Sequence, residues 1–327
     1  MWRRCRVGGG QFLNSLGDFW YSDCMAKARF WFERAQREKF AIGAFNAASI
    51  ETLKAIVGAA KNLKSPVMIE ASQGEVGYFG ARELVGVVRA MEQSYGVPIL
   101  LNLDHAPDFE SCKAAIDFGF DYVHLDGSKL PIEENVRQTK QLVEYAHARE
   151  VMVEGEIDNI NVMGASSADH RHESADAVRD QKFYTDPEKA AEFVAETGVD
   201  TFASFVGNVH GLYLGKKDID LGLLKEIRGK LKETYLSLHG GSGIPEIQVR
   251  EAVQNGIVKV NVNSELRVAF VDKLYEILVE ANPASAQGSG EAKEIAIYKL
   301  MPEAIEAMQR IVEEKIKVFG SAGKIEK

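Results

Sequence analysis

Six short motifs of this 327-residue chain put acids, histidines or amides where apolar runs end. Asp104 and His105 close NLDHA, Asp126 closes HLD, and Glu154 and Glu156 close VEGE. His210 follows in VGNVHGLY, His239 ends LSLH, and Asn261 and Asn263 end VKVNVN. Histidines ending three separate runs can converge on one point. Neutral imidazoles suit Zn²⁺, and three protein ligands leave a position open for substrate or water. Glycine-rich turns sit in register with these histidines. His210-Gly211 and Gly240-Gly241-Ser242-Gly243 expose backbone N–H groups with no side chain in the way, which can cradle an anion. Asn261 and Ser264 can add side-chain donors. The remaining histidines read differently: His124 as a satisfied core or interface residue, His147 as a solvated helix residue, and His170 and His172 as part of a polar loop.

The elements that must position these residues follow a regular rhythm. From residue 41 onward, β-branched runs alternate with amphipathic ones. Strands are expected at Ala41–Asn46, Pro66–Ser72, Pro98–His105, Tyr122–Ser128, Val151–Ile157, Thr201–Gly207, Tyr235–Gly240 and Ile257–Asn263. They are apolar at nearly every residue, as strands covered on both faces are. Helices are expected at Ile50–Asn62, Ala81–Tyr95, Phe109–Phe118, Ile132–Arg149, Pro187–Thr197, Asp220–Leu231 and Pro245–Asn255, then Ser264–Ala281 and a last one near Ala296–Val318. Asp108 and Asp186-Pro187 read as helix starts, and Gly256 falls where a left-handed residue is needed. This alternation predicts an α/β fold, a single-domain (β/α)8 TIM barrel. No strand is followed by GxGxxG, which argues against a dinucleotide-binding sheet. The spacing breaks once, at Asp158–Thr185, a long loop after strand 5 that is expected to close over the site. In a barrel, all these motifs lie on the catalytic face, and the turns after strands 7 and 8 are its customary phosphate site.

Composition bounds the rest. With 39 basic and 48 acidic residues the net charge is −9, and no basic stripe suggests a nucleic-acid partner. No apolar run approaches the ~20 residues of a membrane span, and no secretory signal follows the basic start. Three widely spaced cysteines, Cys5, Cys24 and Cys112, indicate a reduced, cytoplasmic protein. Residues 1–24 are compositionally foreign and are expected to be a disordered or artefactual extension, with the folded unit spanning 25–327.

GAFN (43–46), NLDHA (102–106), LDGSKLPIEENV (125–136), VEGE (153–156), GNVHGLY (207–213), LHGGSG (238–243), KVNVNSEL (259–266) and FGSAGK (319–324) together resemble the class II, metal-dependent fructose- and tagatose-bisphosphate aldolases. The resemblance runs in order from about residue 25 to the C-terminus. It implies that Asp104 is the catalytic acid/base and that His105, His210 and His239 hold the metal. A second metal position would fall on Asp126 and Glu156. The ketose phosphate would lie against Gly211, Gly240, Gly241 and Ser242, and against Asn261, Val262, Asn263 and Ser264. The implied cofactor is Zn²⁺, with another divalent metal or an added monovalent cation as alternatives. The implied partner is a small sugar phosphate, and a homodimer or homotetramer is expected.

Two departures from the family pattern stand out. The usual LGG.E(E/D) loop is absent, leaving Asp169 or Glu173 as substitutes. No Arg precedes the last helix, where only Lys293 and Lys299 could meet a second phosphate. A Schiff-base enzyme would need Lys259 or Lys129 and leaves the histidines unexplained. A metal-dependent hydrolase would want an HxH pair on the first strand, which GAFNAA lacks. From another class, a diverged metal- and phosphate-binding protein with weak or no aldolase activity stays open.

Overall fold

The computed structural model describes residues 27–158, 181–212, 217–281 and 296–326. The extension 1–24, most of the loop after strand 5 with His170, His172, Asp169 and Glu173, and Lys293 lie outside the described residues.

Eight parallel strands close a barrel in chain order: β1 (Ile42–Asn46), β2 (Val67–Ser72), β3 (Ile99–Ala106), β4 (Tyr122–Asp126), β5 (Met152–Glu156), β6 (Thr201–Ala203), β7 (Tyr235–Leu238) and β8 (Ile257–Val262). The register runs from Gly43 beside Val67 round to Phe45 beside Val262, so β8 closes on β1. The expected (β/α)8 barrel is the observed architecture. Each strand lies within an expected run, with one terminal extension at Ala106.

The helices start and stop for local reasons. Helix α1 spans Lys27–Glu38, and α2 (Ile50–Leu63) begins at a reciprocal Ser49–Thr52 capping box. A short α3 (Gln73–Phe79) is capped by Ser72 and Glu75, and α4 (Ala81–Tyr95) ends on left-handed Gly96. Asp108 caps α5 (Phe109–Phe118), α6 spans Ile132–His147, and Asp186 caps α7 (Pro187–Thr197), which has proline at its start. Then come α8 (Leu221–Lys230), α9 (Glu246–Gln254), α10 (Ser264–Ala281) and α11 (Ile297–Phe319). Gly256, after α9, has φ +105°, the left-handed value expected there.

Two α-helices were not anticipated. Helix α3 buries none of its side chains, so it leaves no apolar period to read. Helix α1 does carry a period, Ala28, Trp31, Phe32 and Ala35, all buried. It covers the opening at the strands' N-terminal ends. Phe32 stacks on Tyr122 at 5.4 Å and meets Tyr235 edge-on at 5.5 Å, each the first residue of its strand.

The barrel interior differs from the apolar filling expected of these strands. Glu70, Asn102, Glu154, Ser237 and Lys259 form a fully buried polar layer. Lys259 bridges Glu70 at 3.0 Å and Glu154 at 2.7 Å, and Asn102 donates to Glu70 at 3.0 Å. Charge buried this deeply survives only when paired and hydrogen-bonded.

Candidate active site

Alternation along a strand sends residues i and i+2 to the same face. Glu154 with Glu156, Lys259 with Asn261, Ser237 with His239, and Tyr122 with His124 and Asp126 are such pairs or series. Consecutive Asp104 and His105 cannot both face the mouth in a regular strand. A register shift against β4 between Leu103 and Ala106 resolves this, with His105 at φ +49°, in the left-handed region non-glycine residues rarely adopt. That strained step turns both side chains toward one point.

The three expected ligand histidines come together. Ring centres of His105 lie 5.0 Å from His210 and 4.8 Å from His239, with His210 and His239 5.9 Å apart. Carboxylates behind them set the ring protons. His105 Nδ1 lies 3.0 Å from Asp126 and His239 Nε2 lies 2.9 Å from Glu154, so those nitrogens donate. Asn261 Nδ2 lies 3.3 Å from His239 Nδ1, consistent with an acceptor there. His105 Nε2 and His239 Nδ1 face each other across 3.1 Å, neither of them engaged by a carboxylate, and a protonated His105 donates across that gap. With the proton lost, both nitrogens are close enough to ligate one ion, so the donor set fits a divalent metal. Burial and the neighbouring His105 and His239 hold His210 well below the usual histidine range, so it is neutral, as a ligand must be. Burial likewise lowers His239, to about 4. His105 goes the other way: burial opposes, but Asp104 and Asp126 raise it.

Asp104 lies at the floor of the cleft, 3.5 Å from Asn46 Nδ2 and 3.4 Å from Asn261 Nδ2. Burial would raise its pKa, but His105, His124, His239 and Lys259 hold it far below the carboxylate range. It is an ionised base beside the histidines. The second carboxylate pair also assembles: Asp126 and Glu156 approach His105 Nδ1 at 3.0 and 3.7 Å. Ser128 holds Asp126 through its hydroxyl at 2.6 Å.

A cleft of about 440 Å³ opens above these residues, lined by Asp104, His105, Asp126 and His210 together with Gly211, Gly240, Ser242, Asn261, Asn263 and Ser264. Gly241 and Val262, expected to touch the phosphate, do not line it. The Gly241 N–H is spent on the Asn261 carbonyl at 2.9 Å, and a Cβ there would meet that oxygen at 2.7 Å. Val262 is core, packed in β8 beside β1.

His124 is the buried core residue expected, and it also backs the site: its Nδ1 accepts from the His105 N–H at 3.3 Å, and its Nε2 lies 3.2 Å from Glu156. Its position two residues before Asp126 was the available signal. Glu154 is the hub behind His239, also receiving Tyr122 at 3.0 Å, Lys259 and Ser237. His147 is exposed, as expected, and its Nε2 also meets Asp200 at 2.9 Å. Lys299 does not line the cleft, whereas Lys129 and Arg267 do, as does Glu75, 3.1 Å from Asn46.

Fold and site together define a (β/α)8 barrel with a candidate metal site at its mouth. The chain matches the family described as fructose-bisphosphate aldolase class-II over residues 26–324, and it belongs to that family. It is therefore a lyase. It is 38% identical over 296 residues to the fructose-bisphosphate aldolase of Geobacillus stearothermophilus, covering 89% of this chain and 95% of that one. It is 35% identical to the 6-phospho-5-dehydro-2-deoxy-D-gluconate aldolase of Shouchella clausii, covering 89% and 92%. The crystal structure of the YdjI aldolase from Escherichia coli K12 superimposes with a TM-score of 0.74 at 30% identity, covering 92% of this chain and 99% of that one. Among the described residues no helix is long and apolar enough to cross a membrane.

Proposed function

We propose that this chain cleaves a phosphorylated ketose reversibly to dihydroxyacetone phosphate and an aldehyde, with zinc as its metal. The observation that carries the reading is the convergence of His105 Nε2 and His239 Nδ1, 3.1 Å apart, with His210 beside them and ionised Asp104 at the same floor. When bound there, the metal supplies Lewis-acid polarisation of the ketose carbonyl. Asp104 takes the proton from the hydroxyl next to the breaking bond and returns it in synthesis. Asn46 and Asn261 hold that carboxylate from both sides. Gly211, Gly240, Ser242, Asn263 and Ser264 bind the donor phosphate, and binding energy there orients the reacting carbon. Asp126 and Glu156 form the second metal position. The folded unit is 25–327, the protein is cytoplasmic, and it acts as a homodimer or homotetramer.

The distal end of the substrate meets Lys129 and Arg267 instead of an Arg before α11. Guanidinium accepts a carboxylate or a phosphate equally well in bidentate fashion. The Shouchella relative is named for a substrate with one phosphate and a carboxylate. Fructose and tagatose 1,6-bisphosphate are therefore two members of a wider range of ketose substrates here.

Release of triose phosphate from each bisphosphate, with and without a chelator, tests the reading. Activity is expected to vanish with the chelator and return with about one zinc per chain. Activity that persists without metal, or full metal content and activity in His210→Ala, would remove it. The ratio of kcat/KM for a ketose bisphosphate over its monophosphate is expected to stay below about a thousandfold, near 4 kcal/mol.

A further inference from the structure

Behind the phosphate turns lies a buried cation that the chemistry above does not use. Lys217 is 2% exposed, yet its side chain points inward from the segment leading to α8. Its ammonium donates to the carbonyls of Val209 at 2.7 Å and Ser242 at 2.7 Å, and also to that of Gly211. An ammonium has three N–H donors and no acceptor. The charged form offers an N–H to each of these three carbonyls. Burial nonetheless draws the group down to about 7.

The three carbonyls belong to two different turns. Val209 and Gly211 flank His210 after β6, and Ser242 follows His239 after β7. These turns already approach each other closely: a Cβ on Gly240, which sits at φ +58°, would meet the Val209 carbonyl oxygen at 2.5 Å. Gly211, Gly240 and Ser242 line the cleft on the other side of the same turns. The N–H groups opposed to these carbonyls belong to His210, Leu212 and Gly243, and that of Gly243 already donates to Glu265, so the lysine acts on the cleft by fixing the two turns as units. A single buried ammonium so holds two turns in one arrangement.

We propose that Lys217 is a positioning residue that ties the turn after β6 to the turn after β7, preorganising the backbone donors that grip the substrate's phosphate. The inference rests on the phosphate site proposed above. Its substrate class is the phosphomonoester dianion, and it touches neither the reacting carbons nor the metal. Loss of the tether should therefore weaken phosphate-dependent binding and leave the chemical step nearly intact.

The test compares the full-length zinc-loaded enzyme with Lys217→Met, which keeps the bulk, and Lys217→Ala, which leaves room for a free ammonium ion. Inorganic phosphate is the probe, as a competitive inhibitor. Both variants are expected to need at least tenfold more phosphate for inhibition and to raise KM similarly, with kcat within about threefold of wild type. Ammonium chloride at 0.1 M is expected to recover most of the loss in Lys217→Ala, but choline chloride at equal ionic strength is not, and wild type should respond to neither. Wild-type phosphate inhibition in both variants would overturn the proposal. So would a loss that falls on kcat alone, or one that ammonium and choline repair equally. Should the variants fold poorly, the melting temperature of Lys217→Ala carries the same test: selective recovery by ammonium supports the tether, and none refutes it. Absence of phosphate inhibition in wild type would sink the phosphate site itself, while the melting-temperature arm still judges Lys217.

Discussion

The two ends of this barrel treat charge in opposite ways. At the end closed by α1, acids at the periphery are matched by cations: Lys27 with Glu92 at 2.8 Å, Arg29 with Asp200, and Glu38 with Arg34 and Lys324 at 2.7 and 3.0 Å. The middle of that end is aromatic, Trp31 and Phe32 against the strand starts. At the mouth, four histidines and four carboxylates crowd together, and several groups titrate far from their ordinary values. Asp104 is driven down, His210 is driven down, and Glu156 is pushed up by burial and Asp126. Buried like-charge neighbours cost stability, and such sites are kept where they serve chemistry. One end holds the barrel shut; the other spends that stability on a reactive floor.

If that division is real, substitutions at the mouth should change rate without much effect on folding, and substitutions at the base the reverse. The largest effect is expected for Asp104→Asn, a loss of ~10²–10⁴ in turnover. Metal content and melting temperature should be retained, because Asp104 adjoins His105 and need not bind the metal. Normal turnover would break the comparison at its centre. Phe32→Ala, at the other end, is expected to cost about 3–5 kcal/mol in denaturant unfolding, the usual range for a buried phenylalanine. Its kcat/KM should be unchanged at temperatures where it is folded; a catalytic defect there would mean the two ends are coupled.

Glu154→Gln probes the boundary between the ends. The amide can still meet Tyr122, but it cannot carry the charge that Lys259 and His239 now share. Metal affinity is expected to fall about 10–100-fold, the range for losing an orienting carboxylate behind a ligand histidine. Competition with a chromogenic chelator would measure it. The smallest effect is expected at Glu38. Burial opposes, but hydrogen bonds from Arg34 and Lys324 draw its pKa from 4.5 to about 2. A depressed carboxylate stabilises the fold above its unfolded pKa, and the contribution disappears as pH falls from about 4.5 toward 2. With solvent screening this is worth ~0.5 kcal/mol. Wild type should exceed Glu38→Gln by that amount at pH 6, and the two should converge near pH 2. A difference independent of pH would show that the ion pairs are not its source.

The legible part of the site follows the same division. Strand alternation placed Asp126, Glu154, Glu156, His239 and Asn261 at one face from the linear order alone, because a period of two admits only two faces and the apolar neighbours occupy the other. The same rule pointed to His124, which its apolar surroundings disguised. His105 broke the rule, since only the bulge lets it share a face with Asp104. Helix α1 could have been found from the spacing of Ala28, Trp31, Phe32 and Ala35. Helix α3 offered only its Ser72–Glu75 cap, for its burial pattern is blank. Gly241 looked like its neighbours as a phosphate donor until its N–H was found bonded to Asn261.

By itself, the sequence determined the eight-fold alternation, the ends of the strands and the histidines, acids and glycines that gather there. Those features follow from local periodicity and turn chemistry, which act over a few residues. Only the tertiary structure decided which nitrogen of each histidine carries a proton, because the partners that settle it, Asp126 for His105 and Glu154 for His239, lie 21 and 85 residues away. It also decided that Lys259 is shared by two buried glutamates and that Lys217 joins two turns. A buried charge takes its meaning from whichever groups closure of the barrel brings within 3 Å or so, and no linear spacing encodes that encounter.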